Sequence, residues 1–137
     1  MREMRRPSSF AAFLGAALVF SPPGVHGQKI GVSSAPMFEA VVPEANNKEV
    51  TVRDVRYAPG AVNPRHFHPA AVTFYVISGT PVFQQEGEDP VSLKPGDSLL
   101  VPAGTTHAHW NPSQTQGVRW LEFIVAEKGK GSAVSKP

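Results

Sequence analysis

Four histidines of the chain fall into two close pairs, His66 with His68 and His107 with His109. One residue separates the members of each pair, and residues two apart on a β-strand face the same side. Two imidazoles on one strand face can converge on a metal ion, and neutral imidazole suits zinc, iron, copper and nickel. The same spacing is common in surface histidine pairs, so the neighbouring residues must decide between these interpretations.

Glycine and proline recur at fixed distances around both pairs. Residues 60–79 read GAVNPRHFHPAAVTFYVISG, and residues 96–111 read GDSLLVPAGTTHAHWN. In order and spacing, these two blocks resemble the two motifs of the cupin superfamily. The second block matches throughout, whereas the first has Val72 where the cupin pattern has a glutamate. The resemblance covers residues 49–126.

This resemblance implies an all-β fold, the cupin double-stranded β-helix or jelly-roll barrel, in a single domain. The local patterns favour the same class, because short apolar stretches alternate with turn residues and no helical period is present. The 14 prolines and 12 glycines also suit many short strands joined by tight turns. Predicted strands lie at residues 49–57, 72–77, 82–85, 91–93, 99–101 and 118–126.

The resemblance also implies one divalent metal ion, Fe, Mn, Ni, Cu or Zn, held by His66, His68 and His107. Val72 cannot ligate a metal, so the site is similar to that of the three-histidine cupin dioxygenases, which hold Fe(II) without a carboxylate. A ligand set without a negative charge leaves more positive charge on the ion. We therefore expect the site to favour small anionic or chelating substrates.

His109 lies two residues beyond His107, so a strand there would point both into the barrel. Its imidazole would serve as a fourth ligand, as a general base, as a hydrogen-bond donor behind a ligand, or only as part of the barrel lining. Tyr75 and Gln84 are candidates for the polar wall of a substrate pocket. Glu122 is expected to face solvent, although an inward orientation would let it replace the missing carboxylate.

The ends of the chain differ from its middle. Residues 1–27 resemble a secretory signal, with Arg2, Arg5 and Arg6 before an apolar run at residues 10–20. That run is too short to span a membrane, which needs roughly 20 residues. We expect the protein to be periplasmic or secreted. In the rest of the chain we expect an N-terminal arm and strand at residues 28–48, the barrel at 49–126 and a flexible tail at 127–137.

Charge and composition limit the partners. From residue 28 onward, ten Lys and Arg residues balance ten Asp and Glu residues, so no basic surface for nucleic acid is expected. The absence of cysteine excludes disulfides and thiolate ligands. The resemblance implies a homodimer, in which the apolar segment at residues 37–42 adds to a neighbour's sheet edge.

Two hypotheses of different class follow. One is a metal-dependent oxygenase of the quercetinase-like kind, acting on a small chelating anion or a phenolic. The other is a non-catalytic module that binds a small ligand or a metal ion. Fold alone does not decide between them.

Overall fold

The computed structural model describes residues 31–136, so the predicted signal peptide at residues 1–27 lies outside the described part. That part contains ten β-strands and one short 3₁₀ turn, Pro43–Ala45, and none of its elements is a helix long and apolar enough to cross a membrane. The strands are β1 Val32–Val42, β2 Lys48–Tyr57, β3 Val62–Phe67, β4 Val72–Ser78, β5 Val82–Gln85, β6 Val91–Ser92, β7 Ser98–Val101, β8 His107–Trp110, β9 Val118–Ala126 and β10 Val134–Ser135.

The strands form two five-stranded antiparallel sheets, in the orders β1-β2-β9-β4-β7 and β10-β3-β8-β5-β6. Apart from the consecutive pairs β1–β2 and β5–β6, neighbours in each sheet are distant in sequence, as in a jelly roll. The predicted all-β jelly-roll barrel is thus confirmed. The predicted strand segments all appear, with bounds shifted by one residue or less.

The core lies between the inner faces of the two sheets. Along β9, alternate residues from Val118 to Ala126 are buried, which is the period expected of a half-buried strand. Trp120 is fully buried at the centre, with its ring 4.5 Å from that of Tyr57 and 5.4 Å from that of Phe83. These large side chains fill one part of the barrel and leave the rest for the histidines.

Both ends of the described chain join the sheets. The predicted arm forms β1, which pairs with β2 from Val32 to Val42. The predicted flexible tail differs from expectation, because β10 pairs with the end of β3 and the Lys136 N–H donates to the Arg65 carbonyl at 3.2 Å. Backbone hydrogen bonds to an otherwise open sheet edge explain this order.

Gly79 provides a test of how tightly the β4–β5 turn packs against the start of β9. Its φ of +76° lies in the left-handed region, and an added Cβ would stand 2.5 Å from Val118 Cγ1 and 2.8 Å from the Gly117 oxygen. Gly87 has a similar φ of +82° but open space around it. We expect Gly87→Ala to lower the free energy of unfolding by about 1–2 kcal/mol through backbone strain alone, and Gly79→Ala to lower it by clearly more, as measured by urea unfolding. Equal losses would contradict the close packing of the β4–β5 turn against β9.

Candidate metal centre

A β-bulge in β3 turns His66 toward the barrel interior. Asn63 pairs with His109, and His66 pairs with His107. Between these two pairs β3 contains one more residue than β8 does. The bulge includes Pro64, which has no N–H to donate to the ladder. An extra residue reverses the alternation of faces. This is why Asn63 and His66, three positions apart, are both buried.

All four histidines meet in this region. His107 and His109 are both buried on the inner face of β8, as their spacing predicts, and His68 is buried just beyond the end of β3. The His66 ring centroid lies 4.2 Å from that of His107, 5.0 Å from that of His109 and 5.4 Å from that of His68. The ligand nitrogens of His66, His107 and His109 all lie within 4.8 Å of one another.

Backbone carbonyls select the tautomer of three of these rings. The Nδ1 atoms of His66, His68 and His107 lie 2.8, 3.1 and 2.9 Å from the carbonyl oxygens of Pro64, Gly131 and Thr105. A carbonyl only accepts, so in the neutral ring Nδ1 carries the proton and donates it. Nε2 is then the nitrogen whose lone pair can ligate a metal, which is the usual arrangement behind metal-binding histidines.

The fourth ring has a different partner. His109 Nδ1 lies 2.8 Å from the Tyr57 hydroxyl, which can either donate or accept. Burial, reinforced by the negative charge of Glu122, raises the pKa of Tyr57 far above its ordinary value, while a hydrogen bond with Asn63 opposes the shift. Tyr57 therefore stays a neutral phenol, which either donates to an unprotonated His109 Nδ1 or accepts from a protonated one.

The three histidines whose donor atoms lie closest together are not the predicted triad, which stays a prediction. His66 and His107 come together as expected, but His109 completes the closest group of donor atoms, where His68 was predicted. His68 lies beside this group, with its ring centroid 5.6 Å from that of His107. The hydrogen bond between His68 Nδ1 and the Gly131 carbonyl explains the slightly outer position of His68. Through this bond the C-terminal segment, residues 127–136, holds the ring near the cavity wall.

A cavity of about 350 Å³ opens beside the histidines. Its polar wall includes Arg53, Tyr57 and Asn63. Glu122 also lines it and is only 8% exposed, so the expectation that this carboxylate faces solvent was wrong. The reason is the register of β9, in which Glu122 shares the inner face with Trp120 and Ile124. Residues 131–133 of the C-terminal segment close one side.

Tyr75 and Gln84, the residues predicted for the substrate pocket, lie elsewhere. Both side chains are exposed on the outside of the barrel, and Tyr75 is 41% exposed. Their neighbours Phe74 and Phe83 occupy the inner face instead. This corrects the pocket assignment, and the cause is the strand alternation, since one face of each strand is already taken by a buried ring.

The cavity wall also contains residues that the sequence analysis did not single out. On β2, every second residue from 53 to 57 faces the cavity, namely Arg53, Val55 and Tyr57. That period of two was visible in the sequence and would have predicted that Arg53 points inward with Tyr57. Asn63 offered no such signal, because its inward direction depends on the bulge.

The donor set fits a divalent transition metal. Three buried histidines can form a metal site here, and neutral imidazoles with Nε2 directed away from their backbone acceptors are suitable ligands. Borderline ions such as Zn²⁺, Fe²⁺, Ni²⁺ and Cu²⁺ match these nitrogens better than Ca²⁺ or Mg²⁺, which prefer oxygen.

Single substitutions identify the ligands. His66→Ala and His107→Ala should each lose most of the metal, measured as metal per chain by elemental analysis, and the exposed Gln84→Ala should lose none. We expect His68→Ala to lose metal too, because its carbonyl partner makes Nε2 the ligating atom, while His109→Gln keeps it. Retention of metal in His68→Ala with loss of metal in His109→Gln would instead make His109 the third ligand.

Metal binding should weaken as pH falls below about 6.5, where ordinary imidazoles protonate.

Known proteins share this architecture. Residues 53–124 match the family described as "Cupin domain". A germin-like protein subfamily T member 2 from Arabidopsis thaliana is 31% identical over 107 residues, which cover 74% of this chain and 46% of the relative. A dimethylsulfoniopropionate lyase from Ruegeria pomeroyi is 40% identical over 55 residues, 39% of this chain and 27% of the lyase. The chain thus spans about half or less of these relatives' length.

A solved structure agrees with the fold. A cupin-like protein from Thermotoga maritima superposes with a TM-score of 0.62 at 25% sequence identity, covering 77% of this chain and 75% of that protein. The sequence match spans more than half of the chain, and the buried histidines occupy the barrel that the fold provides. The chain therefore belongs to the cupin family.

Proposed function

We propose that this protein is an exported metal-dependent enzyme of the quercetinase-like dioxygenase class, acting on a small chelating anion or a phenolic. The observation that carries the proposal is the cluster of four buried histidines, three with their Nδ1 atoms directed to backbone carbonyls, beside a cavity that His66 and His68 line. A barrel lining without chemistry does not require four imidazoles in one place, since burying polar groups costs free energy.

The cavity favours a small ligand with negative charge. Its volume of about 350 Å³ lies near the lower end for small-molecule sites. A divalent ion on neutral imidazoles together with Arg53 outweighs the single charge of Glu122, so the loaded cavity is positive. The Ruegeria pomeroyi relative, by its name, acts on dimethylsulfoniopropionate, a small zwitterion with a carboxylate at one end and a sulfonium at the other. This name supports a carboxylate as the first substrate class to test.

Individual residues have distinct roles in this proposal. His66 and His107, with His68, hold the ion, which supplies a Lewis-acidic and redox-active centre when bound. Arg53, on the cavity wall, orients an anionic group of the substrate. His109 accepts or returns a proton, because its Nδ1 shares a hydrogen bond with the buried Tyr57 hydroxyl. The packed rings around Trp120 exclude water from one side.

The alternative is a non-catalytic module that binds a small ligand or a metal ion. Val72 favours it, because this fully buried valine occupies the place of the glutamate that the cupin pattern expects. Loss of one motif residue is compatible with a barrel that binds without turnover.

Oxygen consumption separates the two functions. We expect metal-loaded protein to consume dioxygen with at least one member of a panel of oxalate, hydroxy acids, catechols and flavonols. His109→Gln should retain metal yet lower turnover by roughly 10²–10⁴-fold, the usual contribution of a general base. Tyr75→Phe, on the outside of the barrel, is the matched control and should leave turnover unchanged. Ligand binding without consumption of oxygen or of any panel compound would favour the binding module.

A homodimer is also part of the proposal. A largely apolar row crosses all five strands of the β1-β2-β9-β4-β7 sheet on its outer face. Its paired residues are Phe38, Val52, Phe123, Thr73 and Leu100, of which Thr73 is the polar member. Phe38 and Leu100 are 53% and 57% exposed, and contiguous apolar surface of this kind is typical of interfaces.

Light scattering tests the pairing. At tens of micromolar the wild-type protein should have the mass of two chains, and Leu100→Glu with Phe123→Glu should convert it to one, because charges cannot be buried in an apolar contact. Val62→Glu is the matched control, since Val62 is 52% exposed on the other sheet. A monomeric wild-type protein contradicts the dimer.

A further inference from the structure

Glu122 is the one acidic residue among residues 31–136 that is buried. It lies in the middle of β9, on the inner face, and lines the same cavity as His66 and His68. A carboxylate buried in a barrel loses its hydration, and the loss is offset only by hydrogen bonds or by positive charge nearby. Its position therefore requires a physical explanation within the cavity.

The neighbours of Glu122 supply part of that explanation. The Trp120 indole Nε1–H donates to Glu122 Oε1 at 3.4 Å, which fixes the carboxylate on the cavity side of β9. Arg53 lies directly across the strand pair on β2, and it also lines the cavity. Besides burial, the negative charge of Glu122 raises the pKa of Tyr57, whose hydroxyl lies 2.8 Å from His109 Nδ1.

Glu122 also lies close to the place where the cupin pattern expects a carboxylate. Val72 on β4 pairs with Ile124 on β9, and Glu122 is the next inner-face residue along β9. Diagonal neighbours of this kind have backbones about 7–8 Å apart, within reach of a long side chain. The site thus has one carboxylate nearby, that of Glu122, which lies on β9 and not on the neighbouring strand β4.

We infer that Glu122 is the counter-charge of the metal site, taking over from β9 the electrostatic role of the carboxylate that Val72 lacks on β4. The inference rests on the metal binding of the proposed function. Glu122 acts on the bound ion from outside the histidine ligands, because it lies on β9, whereas the donor atoms within 4.8 Å of one another belong to histidines of β3 and β8. A divalent ion then provides the second positive charge, beside Arg53, that offsets burial of the carboxylate.

Metal affinity of the purified protein tests this assignment without any substrate. Mn²⁺ and Zn²⁺ are the probes, titrated into metal-free protein in competition with a chromophoric chelator. Glu122→Gln keeps the size of the side chain and removes its charge, so we expect binding of both ions to weaken by about 10–100-fold, the usual effect of losing a group behind the ligands. Glu44→Gln, at an exposed position, is the matched control and should bind as the wild type does.

Two further measurements separate a counter-charge from a structural role. Without metal, Glu122→Gln should melt at the same or a higher temperature than the wild type, because it no longer buries a charge, and its rise in melting temperature on adding Zn²⁺ should be smaller. In the Glu122→Gln background, Val72→Glu should recover part of the lost affinity, because it returns a charge to the diagonal position.

Several results would overturn the inference. Unchanged affinity in Glu122→Gln removes the counter-charge and leaves the proposed function intact. A weaker affinity together with a lower melting temperature of the metal-free protein and no rescue by Val72→Glu makes Glu122 a structural residue. A wild-type protein that binds neither ion rejects the proposed function and the counter-charge together.

Discussion

The direction of His66 depends on one extra residue in β3, and the site depends on that direction. A regular β3 would place either Asn63 or His66 on the inner face, since they are three residues apart, but the bulge at Pro64 allows both. The carbonyl of Pro64 itself accepts the Nδ1 proton of His66. The same irregularity therefore turns the ring inward and selects the nitrogen that it presents. A proline there is consistent with the ladder, because its missing N–H falls where pairing is interrupted.

Electrostatics in the barrel follow from this arrangement. Three imidazoles donate from Nδ1 to backbone carbonyls, so in their neutral form they contribute Nε2 lone pairs and no charge. The charged side chains at the cavity are those of the half-buried Arg53 and the buried Glu122, which are paired across β2 and β9. Tyr57 lies between the histidines and the charged pair. Its hydroxyl is hydrogen-bonded to His109, and the charge of Glu122, together with burial, raises its pKa. A proton moving at His109 thus does so in the field of a fixed carboxylate.

The features that depend on residue spacing could be predicted from the sequence. The face of the strand on which a given side chain lies could not be predicted in every case. Gly and Pro positions with the histidine pairs predicted the barrel and the meeting of His66 with His107, which the structure contains. In β4 and β9, apolar residues occur on both faces, so alternation did not reveal which side Tyr75 or Glu122 takes. That choice is made by pairing with β2 and β7, which are distant in sequence.

The C-terminal segment was beyond sequence reasoning for a different reason. Its composition of Gly, Ser and Lys lacks any apolar pattern, yet its order comes from backbone hydrogen bonds, for which composition gives no signal. Gly131 contributes a carbonyl to His68, and residues 131–133 form part of the cavity wall. The position of His68 is therefore coupled to the docking of a short two-residue strand, β10, whereas His66 and His107 are tied to carbonyls two residues before them in the chain. Among these ligand candidates, His68 is the one whose placement can change when the C-terminal segment moves, because its anchor is the least local of the three.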